Sequence, residues 1–349
     1  MGIIFEISKE KSEKVLFFGK KCVILPIFKR KEYFMVNREL IRLKAVQIIY
    51  SYYACGAEEQ GAKGISNSQK ELLFSLDKSY ELYHAMMALL LEVRRVAVED
   101  VEQRSLRNKQ LGLQECVSTR FTHNRLLQLL AENAQLQEFR DKNNQVWIED
   151  EEMVKNLYRQ FLQSSDYEEY LHAEDSFRND QECIRRLYRN ILCDSEAVAE
   201  SLEDKSIYWN DDKHIVDTFV LKTIKMLDEN STANTPLLPQ YDRQEDMEFA
   251  VKLHKCAIEN GAYYRTLIEK KSVNWDLHRI ALMDTVIMQT ALAEITSFPT
   301  IPVAVSLNEY INISKMYSTS RNWSYVNATL DAICKELEAE GKLEKTTRN

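Results

Sequence analysis

The sequence predicts an all-α fold: a helical bundle enlarged by a long additional helical region. Three observations predict it. The 349 residues include only 8 Gly and 5 Pro. Between residues 65 and 235 there is no Pro and a single Gly, Gly112. Sheets need tight reversals, and tight reversals lean on these two residue types. Apolar residues also recur every three or four positions in stretch after stretch, the spacing of one helical face.

The elements follow in chain order. Residues 1–34 fit no element and are read as an extension of unknown role; the readable pattern begins at Met35, which is consistent with a downstream start codon. A first helix is expected from about Asn37 to Tyr53, with Ile41, Ala45, Ile48, Ile49 and Tyr52 forming its apolar stripe. Arg38 and Arg42 flank that stripe, while Lys44, Gln47 and Ser51 fall on the opposite, wet side. The segment 56–64, GAEEQGAKG, reads as a loop. Helices are then expected over Glu71–Val101, Phe121–Arg140, Glu151–Gln163, Asp180–Glu203 and His214–Asp228, with polar breaks at 141–145 and 211–213.

The segment 231–242, STANTPLLPQYD, marks a linker, because two prolines sit in a polar cluster without helical period. Phe249, Leu253, Ala257, Tyr264, Leu267 and Ile268 then define one amphipathic helix. Asn274 is the expected N-cap of the next, which runs to about Ser297 and is apolar almost all round, as a helix at the centre of a bundle must be. SFPTIP ends it. A helix over Val303–Tyr317 follows, then a turn, then a last helix from near Arg321 with Gly341 as its C-cap. The expected organisation is therefore 1–34, 37–60, 65–235 and 240–340. One internal echo stands out: DTFVLKTI (217–224) against DTVIMQTA (284–291), each following a tryptophan (Trp209, Trp275) at nearly the same distance.

Composition excludes several function classes. The net charge is −8, yet residues 1–50 hold 11 Lys and Arg against 5 Glu, which makes that end +6 and leaves −14 for the remainder. A basic end on an acidic body binds phosphate locally. The 7 cysteines are odd in number and none forms a C-x-x-C, which fits a reducing, cytoplasmic setting. The apolar runs Val15–Phe18 and Cys22–Phe28 are split by Lys20 and Lys21, so no membrane span or secretory leader is expected. No two of the 6 His lie three or four residues apart, so no helix face offers a metal-binding pair. Gly-rich phosphate-binding loops are missing too. The expectation is a protein without cofactor or metal that is not an enzyme.

Two stretches carry a resemblance. MVNRELIRLKAVQIIYSYY places a basic N-terminus before Ala45-Val46-Gln47-Ile48-Ile49-Tyr50 and resembles the first helix of NusB-family proteins. Trp275, Arg279, Asp284, Glu294, Pro302, Asn308, Glu309 and Tyr325-Val326-Asn327 fall at the family's spacing in the C-terminal part. The similarity covers 37–55 and 240–335. The chain departs from the family pattern at Glu39 and Leu40, where a denser arginine run is common. It departs again at Ser318, Arg321 and Asn322, where Gly and an Asp-Ser pair are usual, and at Ala328, which replaces Gly.

The resemblance implies a NusB-like helical bundle with a large inserted helical region, in which the two similar segments close into one domain. It implies a transcription antitermination factor that binds boxA-like RNA together with the ribosomal protein NusE and acts with the RNA polymerase elongation complex on ribosomal RNA operons. The implied RNA-binding residues are Arg38, Arg42, Lys44, Arg321, Tyr325 and Asn327. Arginine suits phosphate and splayed bases through its planar fork, and an aromatic ring can stack an unpaired base. Asn308 is expected to hold a corner of the bundle. Asp284 is expected on the NusE-binding surface, where acid would face a basic ribosomal protein. Two other readings remain: a helical protein-interaction scaffold without RNA binding, and an accessory domain related to those fused to RNA methyltransferases. The latter is opposed by the chain's own cysteines, none of which follows a Pro.

Overall fold

The computed structural model describes residues 13–18, 21–26, 35–113, 117–143, 146–241, 243–271, 281–343 and 345. Two units are distinguished, 1–34 and 35–349. In the first, β1 (Glu13–Phe18) and β2 (Lys21–Pro26) pair antiparallel, Glu13 opposite Pro26 and Phe18 opposite Lys21. This corrects the reading of 1–34 as a stretch without an element. The sequence signal is the run of β-favouring residues, Val-Leu-Phe-Phe and Cys-Val-Ile-Leu, on either side of Gly19-Lys20.

The second unit is all-α. Its helix α1 (Arg38–Ala54) begins where expected: the Asn37 side chain accepts a hydrogen bond from the Leu40 amide at 2.9 Å, satisfying one of the free donors of the first turn. After a 3₁₀ turn at Ala57–Gln60, α2 (Ala62–Gln110) runs for 49 residues, about 74 Å at the usual helical rise. It is longer at both ends than the apolar pattern predicts. Gly56 and Gly61, both with positive φ, confine the reversal to a few residues, and the helix starts directly after them.

Helix α2 is the spine of this unit. It packs against α1, against α3 (Arg125–Glu132), α4 (Ala134–Lys142), α5 (Glu151–Leu162) and α9 (Lys213–Met226), and against α10 (Arg243–Glu259). The expected helix 121–140 is two helices, because the Asn133 side chain caps a new start by accepting from the Leu136 amide. The expected helix 180–203 is also divided. It forms α7 (Phe177–Leu187), a π-turn at Tyr188–Leu192, and α8 (Glu196–Lys205), which is capped by Ser195. Between α5 and α7 lies the short α6 (Ser165–His172). Trp147 and Trp209 donate their indole N–H groups to the carbonyls of Ala85 and Lys78 on α2, each at 2.8 Å, so both large rings are buried without an unsatisfied donor.

The remaining helices wrap α12 (Leu282–Ser297), whose side chains are buried on nearly every face. They are α1, α10, α11 (Gly261–Lys271), α13 (Val303–Tyr317) and α14 (Ser320–Ala339). The single helix expected over 249–268 is broken at Asn260, between α10 and α11. At Gly261, the first residue of α11, a Cβ would stand 2.6 Å from the Tyr53 hydroxyl and 2.8 Å from Gln289 Nε2, so α11 starts in close contact with α1 and α12 and a side chain there would have to displace the ends of those two. Gly341, with φ +66°, lies just beyond α14 as expected. The expected N-cap Asn274, with Trp275 and Arg279, lies outside the described residues. No helix among the described residues is long and apolar enough to cross a membrane.

His254 on α10 is fully buried against α2, where its Nε2 lies 2.7 Å from the Ser68 hydroxyl. Burial pulls its pKa from 6.5 to about 4. Below the unfolded value the unfolded chain takes up a proton that the folded protein refuses. Stability from this site is therefore complete above pH 6.5 and is lost as pH falls toward 4. Urea denaturation should show ~2 kcal/mol less stability at pH 5 than at pH 7 from this group, and His254→Gln should flatten that part of the dependence. An identical pH response in the variant would rule this histidine out as the cause.

Candidate nucleic-acid interface

Arg42 is 5% exposed. Its Nε and Nη2 donate to the two carboxylate oxygens of Glu294 at 2.8 and 2.9 Å, a bidentate pair deep between α1 and α12. Glu294, itself 0% exposed, also accepts from the Ser306 hydroxyl at 2.7 Å and the Tyr310 hydroxyl at 3.2 Å, both on α13. Glu309 adds a second carboxylate 3.6 Å from Arg42. Burial alone would lower the Arg42 pKa. The Glu294 hydrogen bond and charge, with Tyr310 and Glu309, outweigh it and hold the guanidinium charged. Burial pushes the Glu309 carboxyl up despite the neighbouring Arg42.

Lys44 is 1% exposed. Its ammonium donates to the Tyr208 carbonyl at 2.6 Å and pairs with Asp212 at 2.9 Å, and Asp212 accepts from Ser79 of α2 at 2.5 Å. Burial raises the Asp212 pKa against the opposing pull of Lys44. Beside it, Gln47 donates to Asp211 and to the Tyr317 hydroxyl, each at 2.8 Å, and Tyr317 donates to Asp211 at 2.6 Å. The polar break at 211–213 is thus also a joint, with Asp212 buried and Asp211 half-buried against α1.

These positions correct two expectations: that Arg42 and Lys44 line an RNA surface, and that Lys44 sits on the wet side of its helix. Both are held in buried ion pairs, because a long cationic side chain can be buried once a carboxylate and further hydrogen bonds compensate for lost water. Arg38 differs. Its side chain is 44% exposed, 3.8 Å from Asp246, with the guanidinium 5.0 Å from the centre of the Phe249 ring.

Asp284 is corrected as well. It is 2% exposed and accepts from Ser318 and, at 3.0 Å, from Asn322 Nδ2. From the first turn of α12 it ties down the turn between α13 and α14, so it offers no carboxylate to a partner. Asn308 is exposed, and the corner expected of it is held by Glu294, Ser306 and Tyr310. Tyr325 is 8% exposed and belongs to the continuous apolar core. Asn327, one turn from Trp323 along α14, is exposed; Trp323 is half-buried. The backbone of Arg321 stands in the first turn of α14, while its side chain lies outside the described residues.

Glu294 and Asp284 stand ten residues apart on α12, about 15 Å. The Arg42 cluster and the turn leading into α14 therefore join the same helix at two levels. Both acids occupy positions that carry the family pattern in the sequence. Spacing alone does not separate a buried acid from a surface acid, since the difference lies in its partner.

Fold and site together define an all-α protein whose central apolar helix carries two buried acids that lock the flanking helices. A comparison with known families matches residues 214–335 to the NusB family. Curated relatives agree, each named transcription antitermination protein NusB. The one from Salinibacter ruber is 38% identical over 29% of this chain and 63% of its own length. The one from Chloroherpeton thalassium is 38% identical over 29% of this chain and 48% of its own length. The one from Desulfatibacillum aliphaticivorans is 37% identical over 28% of this chain and 68% of its own length. The chain thus spans about two thirds or less of the relatives it matches. No solved structure matches. The chain belongs to the NusB family.

Arg42 and Glu294 should be inseparable in mutagenesis. Arg42→Met or Glu294→Leu alone should cost about 3–5 kcal/mol of unfolding free energy, since each strands a buried charge. The double variant should recover much of that loss. Chemical denaturation of all four proteins checks it, and additive losses would show that the two groups do not act as a pair.

Proposed function

We propose that this protein is a non-enzymatic, RNA-binding transcription antitermination factor. In this reading it binds boxA-like RNA together with the ribosomal protein NusE and serves the RNA polymerase elongation complex on ribosomal RNA operons in the cytoplasm. Membership of the NusB family carries the reading, since the family match includes α12, α13 and most of α14. Three residues support it. Arg38 keeps an exposed guanidinium, Arg321 opens α14 with a basic residue, and Asn327 presents an exposed amide one turn and a half further on. Arginine binds phosphate in two-pronged fashion, and an amide can read the edge of a splayed base. NusE would meet acidic surface other than Asp284, which is fully engaged inside the protein.

The burial of Arg42 and Lys44 favours a second reading, a helical interaction scaffold without RNA binding. Titration of a boxA-type oligoribonucleotide, with and without NusE and at two salt concentrations, separates the two. Antitermination function requires salt-sensitive binding that NusE strengthens; a scaffold binds NusE and leaves the RNA free. Arg321→Asp should weaken RNA binding and lower the slope of log affinity against log salt by about 0.7 for each phosphate that the arginine neutralises. An unchanged slope would remove Arg321 from the RNA surface.

A further inference from the structure

We propose that Trp323, paired with Lys315, is a stacking platform for an unpaired RNA base. The inference rests on the RNA-binding reading above and assigns a residue within it.

A base needs an accessible aromatic face. Tyr325, at 8% exposure within the core, does not present one. Two residues earlier, Trp323 is only half-buried. Its environment differs from that of Trp147 and Trp209, which are 2% and 6% exposed and donate their N–H groups to carbonyls of α2. Those two fill the interior, whereas Trp323 stands at the surface of the first turn of α14.

Its neighbours fit a nucleotide. The Lys315 ammonium, exposed at the end of α13, lies 5.2 Å from the centre of the Trp323 ring. No carboxylate among the described residues pairs with Lys315. An exposed cation resting on a ring is held weakly and can move from the ring to a phosphate. Asn327 follows one turn along α14 on the same face, with an exposed amide that can donate and accept. Ring, cation and amide match the three parts of a single-stranded nucleotide: a π face, a phosphate and a base edge. The elements that bring them together are both tied to α12. Asp284 accepts from Ser318 and Asn322, tying down the turn that joins α13, which carries Lys315, to α14, which carries Trp323.

Fluorescence anisotropy of a labelled boxA-type oligoribonucleotide with the full chain tests the proposal. Trp323→Ala should weaken binding about 5- to 150-fold, with the salt slope unchanged, because stacking releases no counterions. Trp323→Phe, which keeps a ring, should restore much of the affinity. Lys315→Gln should instead lower the salt slope by about 0.7. If Trp323→Ala lowers the melting temperature, the Phe and Gln variants carry the test. Wild-type affinity in both Trp323 variants overturns the platform and leaves the RNA reading standing. Failure of the wild-type chain to bind the oligoribonucleotide overturns both.

Discussion

The ion pair between Arg42 and Glu294 is the constraint on which the C-terminal part of the structure depends. Two charges without access to water would each be costly alone. They are tolerated because the geometry is bidentate and because Ser306 and Tyr310 occupy the remaining acceptor capacity of Glu294. One carboxylate thereby sets the relative positions of three helices, α1, α12 and α13. Apolar side chains could fill the same space in several registers; a satisfied network accepts few. This explains why the N-terminal helix joins the C-terminal helices across 252 positions of sequence.

Only two residues further along α1, the chain reaches in another direction. Lys44 and Gln47 meet Asp212, Asp211 and Tyr208, which precede α9, and Asp212 in turn meets Ser79 on α2. Helix α1 therefore serves as a hinge pin between two sets of helices, with one buried cation committed to each. As a result, the basic residues of α1 are largely withdrawn from solvent. Of its three cations, only Arg38 keeps a substantially exposed side chain. The nucleic-acid surface proposed above therefore draws, besides Arg38, on α13 and α14, where exposed Lys315 and Asn327 and half-buried Trp323 flank a turn held by Asp284.

The echo between 217–224 and 284–291 has a structural counterpart. Asp217 and Asp284 are both buried acids near the starts of their helices, α9 and α12, and both accept from residues of a neighbouring element: Asp217 from the Tyr188 hydroxyl, Asp284 from Ser318 and Asn322. Thr223 and Thr290 are likewise buried, each returning its hydroxyl to the carbonyl four residues before. Similar local sequence has produced a similar solution, an acid that anchors the start of a central helix.

The helical class was legible because it depends on local chemistry: scarce Gly and Pro, apolar spacing, and side-chain caps such as Asn37. The all-round apolar character of α12 also announced its central place. Helix breaks were less legible, since Asn133 and Ser195 act through a cap that spacing does not reveal. The site was the least legible part. Arg42, Lys44 and Asp284 look like surface charges in a string of letters, because a charge is stable in water and nothing local says that a carboxylate or an amide will arrive from a distant segment. Sequence alone determined that the chain is mainly helical, which family it resembles and where the first helix begins. Only the tertiary structure decided which charges stay in solvent, because that choice depends on whether a distant partner replaces the water that burial removes.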